Sequence, residues 1–271
     1  MSFGPLVDTD WLRAELGDPG VRVVDCRWKL GHPGAGEAAY LEGHIPGAAF
    51  LDLDTELSDP PGERGRHPLP EPKRFEAAAR AAGIGNDSRV VAYDEDGTGG
   101  AARLWWLLRH FGHDDVAVLD GGLAAWRESG GVLEPGEARP DEGDFSAAEV
   151  EGDTASAEEI EAGGLALIDA RAPERFEGRA EPIDPLRGHI PGATNAPFAE
   201  LAPGGRYLPP DELRALLDRD GAQLVAYCGS GVSACTVVLA AEQAGLRARL
   251  YPGSWSEWCA RGGPAETGPA S

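Results

Sequence analysis

The sequence predicts an α/β protein of two tandem domains, each a mostly parallel sheet with helices on both faces. Three observations predict it. Gly43-His44-Ile45-Pro46-Gly47-Ala48 recurs as Gly188-His189-Ile190-Pro191-Gly192-Ala193, and so long a run of identities reads as an internal duplication. Each half alternates short apolar runs with amphipathic stretches, the pattern of parallel strands joined through helices. A polar, Pro/Gly-rich stretch at 134–144 parts the copies and reads as a linker. The length of 271 residues admits one large domain or two ordinary ones. The duplication selects two, with a boundary near residue 140, so that the domains are 1–140 and 141–271.

The elements follow in order. Apolar runs at 21–24, 90–93 and 116–119 are rich in valine and read as strands buried on both faces. Helical periodicity occupies 75–82, 101–110 and 123–128. In the second half the strands are 166–168, 224–227 and 248–251. The helices there are 157–162, 211–218, 233–244 and 254–260. Matching pieces keep their order across the copies: 23–27 with 167–171, 90–94 with 224–228, and 122–126 loosely with 253–258, which has one added residue. Ligands of such sheets bind beyond the carboxyl ends of the strands.

Composition narrows the partners. Acidic residues outnumber basic ones 46 to 24, for a net charge of −22, which repels phosphate backbones and excludes nucleic acid as a partner. The values of 42% hydrophobic and 26% charged are those of a globular chain. No apolar run approaches the ~20 residues of a membrane span. Met1-Ser2-Phe3-Gly4-Pro5 has neither the basic nor the apolar region of a signal peptide. Cys26, Cys228, Cys235 and Cys259 form no C-x-x-C pair and suit neither zinc nor a disulfide framework. A reducing cytoplasm is the simplest compartment, and neither a metal nor an organic cofactor is expected.

Cys228 is the residue that carries chemistry. It ends an apolar strand and opens Gly229-Ser230-Gly231-Val232-Ser233-Ala234, which leads into a helix. Two glycines let such a loop curl tightly. A curl before a helix aims several N–H groups at one point, an anion cradle that favours thiolate over thiol. The bland alternative is a buried structural cysteine beside a β–α turn. The first copy has Asp94 at this place, followed by Glu95-Asp96-Gly97-Thr98-Gly99-Gly100. An aspartate cannot serve as a thiol nucleophile, so one copy reads as active and the other as scaffold.

This asymmetry, the D-x-R triplets, the G-H-I-P-G-A pair, Trp105-Trp106, and Asp120-Gly121-Gly122 ahead of Trp126 make the chain resemble the two-domain sulfurtransferases. These are the rhodanese and 3-mercaptopyruvate sulfurtransferase family, and the resemblance covers nearly the whole chain. It implies rhodanese-like domains and a Cys228 that takes sulfane sulfur as a persulfide, then yields it to a thiol or to cyanide. Thioredoxin is among the acceptors it implies. Gly229, Gly231, Val232, Ser233 and Ala234 would hold the anionic sulfur. The loop matches the mercaptopyruvate pattern C-G-[ST]-G-V-T, with Ser233 for the usual threonine. By the same resemblance Ser230 and Asp54 form a proton relay with Cys228, His67 approaches the substrate, and Arg175 grips the donor's anionic group. The pattern has a second arginine where this chain has Asp184. Arg179 or Arg187 is the expected replacement, and thiosulfate stays open as donor.

Two rival classes remain. A cysteine phosphatase of the C-x₅-R type needs an arginine where Ala234 stands, so it is rejected. A non-catalytic sulfur-binding or sensing module would keep the loop without turnover. His44 and His189 recur within the repeat and read as turn residues. Cys235 reads as the buried face of the next helix, and Cys26 and Cys259 as core.

Overall fold

The computed structural model describes residues 3–95, 97 and 99–269. It divides into two compact units. Unit 1 comprises Met1–Asp59, Pro70–Val150 and Gly204–Arg206, and unit 2 comprises Pro60–Leu69, Glu151–Pro203 and Tyr207–Ser271.

Unit 1 holds β1 (Leu6–Val7), β2 (Val21–Asp25), β3 (Ala49–Phe50), β4 (Arg89–Tyr93) and β5 (Val116–Leu119) in the order β1-β5-β4-β2-β3, every pair parallel. Unit 2 holds β6 (Ala166–Asp169), β7 (Thr194–Asn195), β8 (Leu224–Tyr227) and β9 (Ala248–Leu250) in the order β7-β6-β8-β9, also all parallel. The second sheet repeats the first without its edge strand. The longer strands and helices stand within a residue or a few of their expected bounds. Not foreseen were the two-residue strands β1, β3 and β7 and the helices Thr9–Glu15, Ala35–Glu42, Pro173–Phe176 and Phe198–Leu201. The two-residue strands and four-residue helices are too short to show a period, Ala35–Glu42 has almost no amphipathic one, and tertiary contacts decide these elements.

Both faces of each sheet are covered. In unit 1, Val21, Val23, Val91, Tyr93, Ala117 and Leu119 point one way and pack with Leu12, Leu123 and Trp126 from the helices Thr9–Glu15 and Gly122–Glu128. The helix Gly100–His110 packs on β4 and β5. Nearly all of its residues are buried. In unit 2, Leu167, Val225 and Tyr227 pack with Ile160, Trp255 and Trp258. The helix Ala234–Gln243 packs on β8 and β9. This double burial is why the strands read as unbroken apolar runs rather than alternating ones.

A buried polar knot explains the repeated motifs. The Asp25 carboxylate accepts from Arg27 Nη2 at 2.7 Å and from the Tyr93 hydroxyl at 2.7 Å. Arg27 Nη2 also donates to the Gly43 carbonyl at 2.8 Å, and the Tyr93 oxygen accepts the Ile45 N–H at 3.2 Å. Unit 2 repeats the knot. Arg171 Nη2 donates to Asp169 at 2.6 Å and to the Gly188 carbonyl at 2.7 Å, and the Tyr227 oxygen accepts the Ile190 N–H at 3.1 Å. D-x-R at a strand end thus fastens the G-H-I-P-G-A turn. The charges are fully buried, which is tolerable only because each is paired and hydrogen-bonded. Burial and the neighbouring Asp25 push the Tyr93 phenol well up, so it stays protonated and able to donate.

The two histidines are turn residues, as expected. His44 Nδ1 bonds the Tyr40 carbonyl at 3.0 Å with its ring stacked on Tyr40, and His189 Nδ1 bonds the Phe176 carbonyl at 2.8 Å with its ring on Phe176. A glutamate then closes each turn. Glu134 pairs backbone to backbone with His44 and accepts the Gly47 N–H at 2.7 Å. Glu266 does the same for His189 and Gly192, the latter at 3.1 Å.

Glu134 therefore does not begin a free linker, which corrects the reading of 134–144. The Gly136 N–H donates to the Leu41 carbonyl, Ala138 to the Tyr40 hydroxyl and Gly143 to the Arg80 carbonyl. Phe145 is buried against Phe75. These bonds lay the segment along unit 1, which runs to Val150 rather than ending near residue 140. A polar composition signalled an irregular path, not a detached one. Among the described residues no helix is long and apolar enough to cross a membrane.

Tyr93→Phe removes one donor from a buried carboxylate and one acceptor from the Ile45 N–H. A loss of about 1–3 kcal/mol in unfolding free energy is expected from urea titration. An unchanged midpoint and slope would remove the hydroxyl from the knot.

Candidate active site

β8 is buried along its whole length and delivers the chain directly into Cys228, which is itself 2% exposed. The loop then turns through Gly231 at φ +81, where a Cβ would meet the Pro252 carbonyl at 2.2 Å. Only glycine fits such a backbone and such an approach. The result is that the Gly231 N–H donates to Cys228 Sγ at 3.1 Å. Val232 and Ala234 are buried, and Ser233 precedes the helix Ala234–Gln243.

The start of the helix Ser254–Ala260 holds the loop from outside. Ser254 Oγ accepts the Cys228 N–H at 3.1 Å and donates to the Tyr251 carbonyl at 2.9 Å. The Trp255 and Ser256 N–H groups donate to the Cys228 and Gly229 carbonyls at 2.9 and 3.0 Å. In unit 1, Leu123 and Ala124 donate to Asp94 and Glu95 in the same way. The loose match of 122–126 to 253–258 was the trace of this support in the sequence.

The unit 1 loop shows what the cradle does. The Asp94 carboxylate accepts the N–H groups of Gly97, Gly99 and Ala101 at 2.8, 3.0 and 3.3 Å. A loop of this design gathers amides on one anion, and in unit 1 that anion belongs to the chain itself. Asp96 and Thr98 of this loop lie outside the described residues.

Around Cys228 the structure brings several predicted residues together within unit 2. Ser230 Oγ and His67 Nδ1 stand 2.7 Å apart, both largely buried. Arg175 binds Glu181 at 2.8 Å and Asp184 at 3.0 Å, and a Cβ built on Gly229 would lie 3.3 Å from its Nη1. Its guanidinium therefore borders the loop next to Cys228.

Arg179 is a correction. Its side chain is 56% exposed and pairs with Glu177 and Glu174 on the surface of unit 2. One turn past Arg175 is a nearby position in sequence, but the chain there turns outward to solvent. Asp54 lies in unit 1, where its Oδ1 accepts the Trp28 indole N–H at 2.9 Å and its N–H donates to Asp52 at 3.0 Å.

Sequence reasoning missed Arg66. Its Nη1 pairs with Asp184, and its Nη2 stands 2.8 Å from the position of a Gly229 Cβ. The only signal was its place beside His67. The other cysteines differ from Cys228 in setting. Burial and the nearby acids Asp25 and Asp94 push Cys26 well up, and burial pushes Cys259 to about 11, so both are protonated at neutral pH. Cys235 Sγ donates to the Gly231 carbonyl at 3.3 Å from the buried face of its helix.

Comparison with known proteins agrees with this arrangement. The profile of the rhodanese-like domain matches residues 8–129 and again 154–261. A Pseudomonas aeruginosa protein named "Probable 3-mercaptopyruvate sulfurtransferase" is 47% identical over 95% of this chain and 96% of its own. A Mycobacterium tuberculosis H37Rv protein named "Putative thiosulfate sulfurtransferase SseB" is 46% identical over 90% of this chain and 89% of its own. The crystal structure of SseA from Escherichia coli, described as a 3-mercaptopyruvate sulfotransferase, superposes with a TM-score of 0.83 at 36% identity, covering 93% of this chain and 99% of that one. Both halves match the one domain profile, and the chain belongs to the rhodanese-like family, with two copies of its domain.

Proposed function

We propose that the protein is a sulfurtransferase that moves sulfane sulfur from 3-mercaptopyruvate through a Cys228 persulfide to a thiol or cyanide acceptor. The observation that carries this reading is the Gly231 N–H on Cys228 Sγ, in the loop position where unit 1 holds a carboxylate. A site that stabilises one anionic atom suits a thiolate before transfer and a persulfide anion after it. Unit 2 is the catalytic copy and unit 1, with Asp94, is the scaffold.

Cys228 sulfur attacks the donor's thiol sulfur. The S–S bond forms as the donor's C–S bond breaks, and the electron pair leaves on carbon as the enolate of pyruvate. Ser230 supplies the proton that turns the enolate into pyruvate, and His67 restores the Ser230 proton. The 2.7 Å contact of Ser230 with His67 supports the serine as a proton carrier. An acceptor thiolate or cyanide then attacks the outer sulfur, and the electron pair of the S–S bond returns to Cys228. The covalent intermediate makes the kinetics ping-pong.

A second reading is thiosulfate as donor, with sulfite as leaving group. The M. tuberculosis relative and the two guanidiniums bordering Gly229 favour it. From a different class, a sulfur-carrying module without turnover keeps the same loop. We assign the protein to a reducing cytoplasm, since all four cysteines are free thiols, with thioredoxin or a small thiol as acceptor.

Incubation with 3-mercaptopyruvate is expected to add one sulfur atom to Cys228, read by intact mass and peptide mapping. Cys228→Ser should take up none. A wild-type chain that takes up no sulfur from either donor would sink the catalytic reading, and uptake without release to any thiol or cyanide would leave the carrier module. In a direct donor comparison, kcat/KM is expected to favour 3-mercaptopyruvate over thiosulfate. The opposite ranking would make the protein a thiosulfate enzyme. Asp54→Ala should lower mercaptopyruvate turnover more than thiosulfate turnover, because sulfite needs no proton to leave. Equal losses with the two donors would remove Asp54 from the relay.

A further inference from the structure

We infer that Arg66 is the second guanidinium that receives the donor's anionic group, taking over from the arginine that this chain replaces with Asp184. The inference deepens the proposed function and rests on it.

The backbone fixes where Arg66 stands. Gly65 has φ +101, and a Cβ there would meet Ser256 Oγ at 2.8 Å and the Gly253 carbonyl at 2.9 Å. Only glycine permits so close an approach to the 253–256 turn, the same turn that donates to the Cys228 and Gly229 carbonyls. The Arg66 N–H then donates to Ser256 Oγ at 3.1 Å. Arg66 is therefore carried on the support of the catalytic loop, one residue before the histidine that bonds Ser230.

The side chain faces the loop with one edge. Nη1 is occupied by Asp184. Nη2 lies 2.8 Å from the position of a Gly229 Cβ, and Nε, on that same edge of the guanidinium, is buried without a hydrogen-bond partner. The Nε–Nη2 edge has two parallel N–H groups, the spacing that matches a carboxylate. A buried donor without an acceptor is costly, of order 1–3 kcal/mol, and persists where something else compensates or where a ligand completes it. Arg175 Nη1 and Nη2 stand 3.3 and 3.5 Å from that same Cβ position. Two guanidiniums thus converge on the backbone beside Cys228.

Asp184 explains how they stay there. Its carboxylate, 4% exposed, joins Arg66 through Oδ1 and Arg175 through Oδ2. The residue that reads as a loss in sequence is a brace between two arginines. It replaces the missing arginine by holding a different one in place.

Steady-state kinetics of the full chain test this. Arg66→Gln should raise KM for 3-mercaptopyruvate about ten- to a hundredfold, the range of one charge-assisted hydrogen-bonded contact, with kcat little changed. Arg66→Lys keeps the charge without the fork and should fall between. The surface variant Arg13→Gln controls for net charge and should match wild type. With the methyl ester of 3-mercaptopyruvate, whose carboxylate charge is gone, Arg66→Gln and wild type should agree. A separate measurement needs no turnover: pyruvate should slow alkylation of Cys228 by iodoacetamide in wild type and much less in Arg66→Gln. Equal KM values, equal losses with acid and ester, or undiminished pyruvate protection would each overturn the assignment. If wild type forms no persulfide but pyruvate protection depends on Arg66, the anion clamp stands and the sulfurtransferase reading fails.

Discussion

The structure depends on a buried ion pair placed at the end of a strand. Asp25 with Arg27, and Asp169 with Arg171, put full charges into the interior of their units. A buried pair of this kind adds little net stability over an apolar one. Its value lies in direction. The arginine has donors left over and spends one on the carbonyl of Gly43 or Gly188, while the tyrosine of the adjacent strand reaches the Ile45 or Ile190 amide. Three segments far apart in sequence are joined at one point, and an apolar core alone would not select that point.

The Cys228 loop inherits this order. Tyr227 belongs to the knot and is the last residue of β8, so Cys228 begins where the strand is most firmly held. The first turn of the helix Ser254–Ala260 then fixes the two following carbonyls. Little freedom remains for the sulfur, which is what a preorganised anion site requires. Against the net charge of −22 the loop sets oriented amides, and the guanidiniums of Arg66 and Arg175, each paired with an acid, border Gly229. Electrostatics of the surface and of the pocket are separate matters, since potentials fall off over roughly a Debye length, ~10 Å in dilute salt.

Much of this was legible in the sequence because the signals were repeated. The valine-rich strands, the D-x-R and G-H-I-P-G-A pairs and the cysteine loop each appear beside a copy, which separates pattern from accident. His44 and His189 were placed as turn residues on that ground alone. What escaped notice had no period or partner of its own. The two-residue strands carry too few side chains to show alternation. The role of Glu134 was hidden because a polar, proline-rich stretch looks the same whether it dangles or is hydrogen-bonded to a neighbour. Arg179 was one of two replacements offered for the missing arginine, but at that position the side chain faces solvent. Arg66 was hidden for the converse reason, since more than a hundred residues lie between it and the loop it borders. Asp184 seemed a defect because its meaning depends on that absent neighbour.

Pro60–Leu69 is encoded in the first half of the chain yet belongs to unit 2. The two genetic copies and the two physical bodies are therefore not the same partition. A protein cut at the junction of the copies would keep Cys228, Ser230 and Arg175 on one fragment and lose Arg66 and His67 to the other. The copy that carries Asp94 in place of the cysteine still gives side chains to the other unit. The second unit is therefore built from both halves of the sequence, and neither half alone encodes it.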